Sequence, residues 1–134
     1  NKYYKKDIHM ETLLTADMIC KFLSEKKAND IVKIYVADKT IIADYFVIAS
    51  ARSSTQVKAL SEYVEEFVEK NGGEVRRTEG VAEGRWAVID AGDIIVHIFN
   101  DEQRLFYHLE RIWGDGEKFV DEEEQLSVED KKSE

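Results

Sequence analysis

Apolar residues recur every three or four positions in three segments of the chain, which predicts three amphipathic helices. The first helix follows Thr15, its predicted N-cap. The second follows the serine pair 53–54, carries an acidic outer face and stops at the glycine pair 72–73. The third runs from about 101 to 113. Each helix is therefore expected to cover one side of a sheet.

Short runs rich in β-branched and aromatic residues predict strands between these helices. The predicted strands are residues 31–38, 43–50, 74–80, 85–91 and 94–99. The second contains Tyr45-Phe46-Val47-Ile48 without a polar position, which predicts a central strand buried on both faces. The last two flank Gly92-Asp93, a two-residue turn typical of hairpins.

The resulting order is α-β-β-α-β-β-β-α, which predicts a single α/β domain with one mixed five-stranded sheet flanked by helices. The long helix after the second strand is a crossover, so part of the sheet should be parallel. We expect residues 1–10 to be a flexible lead-in, 11–116 to form the domain and 117–134 to be an acidic, disordered tail.

Charge and cysteine content narrow the classes of partner. The 134-residue chain has a formal net charge of −9, which disfavours direct nucleic-acid binding and suits a basic protein partner, although such a charge also serves solubility alone. With one cysteine, Cys20, no internal disulfide can form, which favours a reducing, cytoplasmic setting. No apolar run has the length of a membrane span, so no membrane partner is expected.

A nucleotidyltransferase-like enzyme is one interpretation of a small mixed sheet followed by a serine-rich helix start. That chemistry needs a glycine loop for phosphates and paired carboxylates for magnesium. The loop SARSS (50–54) has no glycine, and the aspartates on the strands are scattered. Residual nucleotide binding near Ser53, Ser54 and Asp44 stays open as the alternative. The three histidines lack metal-ligand spacing, so neither a metal nor a cofactor is expected.

A protein-binding face is the other interpretation. Trp86 and Asp90 lie two positions apart from Val88 on one face of their strand, and His97 lies on the next strand. A tryptophan beside polar residues is typical of the centre of an interface. The third helix adds Arg104, Tyr107, His108 and Arg111, several of which lie along one flank of the helix. A core tryptophan under a capping helix explains the same residues equally well, as does a bare dimerisation module.

Three motifs in this order resemble the Iojap/RsfS family of ribosomal silencing factors. The motifs are D-Y-F-V-I at 44–48, W-x-x-x-D-x-G-D-x-x-V-H at 86–97 and Y-x-L-E-x-x-W at 107–113. The resemblance covers roughly residues 12–115. The chain departs from the family pattern at Ala51 and at Lys39-Thr40, where members carry glycine, which affects local loop shape.

The resemblance implies a function that amino-acid composition and motif spacing alone do not indicate. Members bind the large ribosomal subunit through its fourteenth protein, a basic protein at the subunit interface. They block joining of the small subunit and so lower translation when nutrients are scarce. Their fold is similar to that of nucleotidyltransferases without the active site, and a free homodimer is possible. The partner-binding residues expected here are Trp86, Asp90, His97, Arg104, Tyr107 and Glu110, with no catalytic residue.

Overall fold

The computed structural model describes residues 14–102, 104 and 117–119. The helices and strands, in chain order, are α1 (Ala16–Glu25), β1 (Asn29–Tyr35), β2 (Tyr45–Ala51), α2 (Ser54–Lys70), β3 (Arg77–Glu79), β4 (Trp86–Asp90), β5 (Ile94–Asn100) and β6 (Glu117–Lys118). Residues 101, 102 and 104 are helical, at the predicted start of the third helix. The remainder of that predicted helix lies outside the described residues.

The strands form one mixed sheet in the order β3-β4-β5-β2-β1-β6. β2 and β5 are parallel, whereas every other neighbouring pair is antiparallel. The long helix α2 connects β2 to β3, as a crossover connection must when two strands of a sheet run in the same direction. The predicted single-domain α/β architecture, with its five strands and partly parallel sheet, is therefore confirmed.

The sixth strand was not predicted. We expected a disordered tail from residue 117, yet residues 117–118 pair with β1 and Phe119 N–H donates to the carbonyl of Ile31 at 2.8 Å. Phe119 is partly buried against the core. The high charge of the tail gave no sign of this contact in the sequence. Pairing is possible because the edge of β1 presents backbone N–H and C=O groups to which another strand can bond. The rest of the tail lies outside the described residues.

The two described helices share one side of the sheet. Thr15 caps α1, where its hydroxyl accepts from Met18 N–H at 3.2 Å, and Ser53 caps α2, where its hydroxyl accepts from Gln56 N–H at 3.1 Å. The rings of Phe22 and Phe67 stack between the helices with centroids 4.2 Å apart. Neither described helix has the length and apolar content that crossing a membrane requires.

The side chains of the sheet divide into two buried layers. The layer under the helices includes Val47, Ala49, Val96 and Ile98, together with Cys20 of α1. Cys20 is fully buried, and burial raises the pKa of its thiol to about 12. The opposite layer, here named the far face, contains Ile34, Val36, Ala43, Phe46, Ile48, Ile95, His97 and Phe99, with Trp86 and Val88 at its margin. β2 is thus buried on both faces, as predicted.

The end of β1 and the start of β2 are among the strand boundaries that differ from the prediction. β1 ends at Tyr35 instead of 38, because Lys39 and Thr40 both donate to the carbonyl of Val36 and turn the chain. β2 correspondingly begins at Tyr45 rather than 43. The residues between the strands therefore form a longer connecting loop, 36–44, than the sequence indicated.

Candidate partner-binding face

Trp86 and His97 are brought together on the far face. β4 and β5 are antiparallel, with Trp86 opposite Phe99 and Val88 opposite His97. The indole N–H of Trp86 reaches diagonally across the two strands and donates to Nδ1 of His97 at 3.1 Å. The indole also stacks on Phe99, with ring centroids 5.1 Å apart and planes 22° from parallel. These two contacts fix the orientation of a half-buried tryptophan.

His97 is a buried, neutral histidine. Burial lowers the pKa of its imidazole to about 4, so the ring is uncharged at neutral pH. Because Nδ1 accepts from Trp86, the proton of the neutral ring lies on Nε2. Within the described residues, Nε2 has no hydrogen-bond partner. Protonating Nδ1 would replace the acceptor that Trp86 uses with a second donor, so the charged ring is incompatible with this contact.

Asp90 lies at the other end of β4 from Trp86 and shapes the hairpin. One of its carboxylate oxygens accepts from Gly92 N–H at 2.9 Å. Gly92 has a φ of 87°, which a residue with a side chain adopts only under strain. Asp90 is half-buried, so the same carboxylate retains exposed surface.

Arg104 is engaged inside the fold. Its guanidinium Nη1 donates to the hydroxyl of Ser50 at 2.9 Å and to the carbonyl of Asp30. The pairing of β1 with β2 shifts register between Asn29 and Val32, and Asp30 has a φ of 48°. Arg104 therefore joins the third helix to an irregular part of β1 and to the buried end of β2. Tyr107 and Glu110, also predicted for this site, lie outside the described residues.

Two glycines shape the loop that leads into Trp86. Gly80 and Gly84 have φ values of 76° and 70°. A Cβ on Gly80 would lie 2.0 Å from the carbonyl oxygen of Trp86, and one on Gly84 would lie 2.6 Å from Cβ of Ser54. The loop is thus packed against both β4 and the start of α2.

The family is decided by sequence comparison. A profile for the family described as "Ribosomal silencing factor during starvation" matches residues 9–134. The chain belongs to the RsfS family. The relative named ribosomal silencing factor RsfS from Zymomonas mobilis is 41% identical over 112 residues, which cover 81% of this chain and 84% of the relative. RsfS from Bacillus subtilis is 37% identical over 91 residues, which cover 68% of this chain and 77% of the relative.

Two more distant relatives are a solved structure, which has the same fold, and a mouse protein whose name refers to the ribosomal large subunit. A crystal structure of a Chromobacterium violaceum protein superposes with a TM-score of 0.70 at 29% identity, covering 76% of this chain and 88% of that one. A mouse protein named "Mitochondrial assembly of ribosomal large subunit protein 1" is 28% identical over 108 residues, which are 78% of this chain and 47% of the relative. Membership of the RsfS family supports a ribosome-silencing role and a ribosomal partner for this chain. The family name describes a regulator.

The residues of the nucleotide alternative do not converge in this RsfS-family chain. Asp44 precedes β2 and the serine pair 53–54 follows it, so a seven-residue strand separates them by more than about 20 Å. The hydroxyl of Ser53 is already used to cap α2. In the part of the chain that the structure describes, no group of three or more histidine, cysteine, aspartate or glutamate side chains is placed to bind a metal ion.

Sequence reasoning missed the two contacts that organise this region. The period of two places Trp86 and His97 on their faces, but it does not reveal that their ring nitrogens meet across the strands. Arg104 is joined to Asp30 and Ser50 over 74 and 54 positions, and no local signal in the sequence indicates such a pairing. The period of two along a strand predicts which face each side chain lies on, whereas the register between strands decides which side chains are in contact.

Proposed function

We propose that this RsfS-family chain binds the large ribosomal subunit through its fourteenth protein and sterically blocks joining of the small subunit. The result is lower translation when nutrients are scarce. Family membership supports a ribosomal partner, and the mouse relative carries the large subunit in its name. The observation that carries the proposal beyond the family is the partly exposed Trp86, held by His97 and Phe99 at the margin of the far face.

A fixed tryptophan suits this role because binding costs less when the anchor is ordered beforehand. A free indole on a surface loses rotational freedom on docking, whereas Trp86 is already restrained by one hydrogen bond and one ring stack. Aromatic anchors of this kind tend to dominate the energetics of interfaces. Trp86 therefore supplies apolar contact, and the action needs no chemical step.

Charge supports the choice of a basic partner. The chain has a formal net charge of −9, and Asp90 lies half-exposed on the same strand as Trp86. Complementary charge accelerates and orients an encounter more than it adds affinity. In this proposal Tyr107 and Glu110 extend the contact along the predicted third helix. Arg104 contributes by holding the start of that helix, and its exposed part completes the rim. A homodimer is the proposed form of the free protein.

Co-sedimentation with separated ribosomal subunits tests the proposal. Purified chain is layered on sucrose gradients with large subunits, or with small subunits, from Bacillus subtilis, whose RsfS is a relative. The chain is expected to travel with large subunits and to stay at the top of the gradient with small ones. Absence from the large-subunit fraction at low salt would rule the proposal out.

The nucleotide alternative makes a separate prediction. An enzyme with residual nucleotide chemistry would bind a nucleoside triphosphate in the presence of magnesium. Calorimetric titration should give no heat of binding, because Asp44 and the serine pair 53–54 lie at opposite ends of β2. Micromolar affinity would restore that alternative whatever the gradients give.

A further inference from the structure

The loop between β1 and β2 presents the most exposed large apolar side chains of the described residues. Ile41 has 103% relative exposure, Ile42 has 59%, and Tyr35 at the end of β1 has 54%. Isolated exposed apolar residues are common on protein surfaces, but three such residues between positions 35 and 42 are a candidate for an interaction site. These three residues are named the loop patch.

The loop patch stands on an ordered loop. Val36 N–H donates to the carbonyl of Asp44 at 2.8 Å and closes the base of the loop, while Thr40 N–H donates to the carbonyl of Val36 at 3.0 Å. The hydroxyl of Thr40 accepts from Ile42 N–H at 3.3 Å. The backbone thus holds the two isoleucines outward when no partner is present, which lowers the entropic cost of docking.

A cavity of about 330 Å³ lies beside the loop patch. Tyr45 lines the cavity and connects it to the patch, because its ring meets that of Tyr35 with centroids 5.3 Å apart. Asp44 and Asp93 also line the cavity, and Asp44 N–H donates to the carbonyl of Asp93 at 2.7 Å. An apolar protrusion and a largely apolar recess that carries the carboxylates of Asp44 and Asp93 therefore adjoin at this end of the sheet.

The charge of the recess selects the occupant. Lys33 is paired with Asp17 at 2.9 Å, and Lys39 lies 3.8 Å from Asp38. Asp44 and Asp93 are exposed and have no ion-pair partner among the described residues. Phosphate-rich partners, whether RNA or a membrane, would be repelled by these carboxylates. A second copy docked through the same patch would set each aspartate pair against itself, because a two-fold interface is self-complementary.

We infer that the loop patch and its cavity form a second docking site, which takes a basic protein segment with an apolar side chain beside a lysine or arginine. The inference rests on the proposed function, in which the partner is a basic ribosomal protein. Register separates the two sites: Trp86 pairs with Phe99, which lies five residues along β5 from Ile94, the partner of Tyr45. That distance is roughly 16 Å along the strands. In this inference each of the two sites contacts the large subunit.

The test compares four forms of the full chain. They are wild type, the double variant Ile41→Ser/Ile42→Ser, the charge variant Asp44→Asn/Asp93→Asn, and the control Tyr63→Ser, which removes another exposed apolar side chain on α2. Binding to isolated large subunits is measured by co-sedimentation across a concentration series. Thermal unfolding of each form checks the fold, which exposed substitutions leave nearly unchanged.

The double isoleucine variant is expected to bind large subunits at least about tenfold more weakly than wild type, as loss of an interface anchor does. The charge variant should bind more weakly at low salt and with less salt dependence, and Tyr63→Ser should bind like wild type. Wild-type affinity in the isoleucine variant overturns the inference alone, whereas a wild type that does not co-sediment overturns the proposed function with it. If, without subunits, wild type sediments as a dimer and the isoleucine variant as a monomer, the occupant is a second copy and the inference is wrong.

Discussion

Trp86 has two roles at the scale of single residues, and a useful substitution must separate them. Its indole is half-buried against Phe99 and bonded to His97, so part of the ring belongs to the core layer. The exposed part is the proposed anchor for the partner. Trp86→Ala would therefore affect the fold as well as binding, because removing the ring also opens the margin of the far face.

Trp86→Phe is therefore the sharper variant. Phenylalanine keeps a ring against Phe99 but loses the N–H that His97 accepts, which should cost about 1 kcal/mol of stability. Trp86→Ala should cost more, on the order of 2–4 kcal/mol, because it also removes buried ring surface. Chemical denaturation measures both values. Large-subunit binding should weaken in both variants, and full binding by Trp86→Phe would show that indole orientation is irrelevant.

His97 predicts a dependence of stability on pH. Its pKa is lowered from 6.5 in an ordinary histidine to about 4 by burial, so below pH 6.5 the unfolded chain binds a proton that the folded chain does not. The contribution of His97 to stability is complete above about pH 6.5 and is lost as pH falls to about 4. With about 1.4 kcal/mol for each pKa unit, the loss is roughly 3 kcal/mol.

Denaturation at several pH values, in wild type and in His97→Asn, measures this contribution. Carboxylates titrate alike in both proteins, so the difference between them isolates the imidazole. The stability advantage of wild type should shrink between pH 6.5 and pH 4 and stay constant above pH 7. Parallel curves over the acidic range would mean that His97 is accessible to protons in the folded state. His97→Gln replaces the variant if the asparagine protein does not fold.

At the scale of elements, the sequence predicts what depends on local pattern. The caps Thr15 and Ser53 and the hairpin around Gly92-Asp93 were all found where their residue types indicate. The end of β1 was placed wrongly, because tertiary hydrogen bonds to Val36 decide it. β6 was missed for a similar reason: two residues carry no periodicity, and pairing with β1 alone makes them a strand.

Gly80 tests how tightly the entry loop holds β4. In Gly80→Ala the new Cβ would lie 2.0 Å from the carbonyl oxygen of Trp86, and φ is 76°. The matched control is Gly92→Ala, whose φ is 87° but whose Cβ would meet only the Arg76 side chain at 3.5 Å. The control should cost about 1–2 kcal/mol, the strain of a left-handed residue with a side chain. Gly80→Ala should lower the free energy of unfolding clearly more than the control does, and it should weaken large-subunit binding. Equal losses of stability in the two variants would mean that the loop backbone moves to accommodate the new Cβ.

At the scale of the whole molecule, physical reasoning and resemblance contributed different things. Element order and the buried second strand predict the mixed sheet, and the net charge of −9 favours a basic partner. No property of the chain taken alone identifies a ribosome; the family motifs do. Trp86 and Asp90 lie near the two ends of one strand, as the sequence indicated, whereas Arg104 contacts Ser50 and Asp30. The contacts of Arg104 depend on long-range packing, which the sequence does not display.

Subunit joining is the property that the proposed mechanism controls. Large subunits are incubated with the chain, small subunits are added with magnesium, and association is followed by light scattering. We predict that joining is inhibited in proportion to the large subunits occupied, and that Trp86→Phe inhibits less at equal concentration. Full joining by large subunits that demonstrably carry the chain would contradict a steric block.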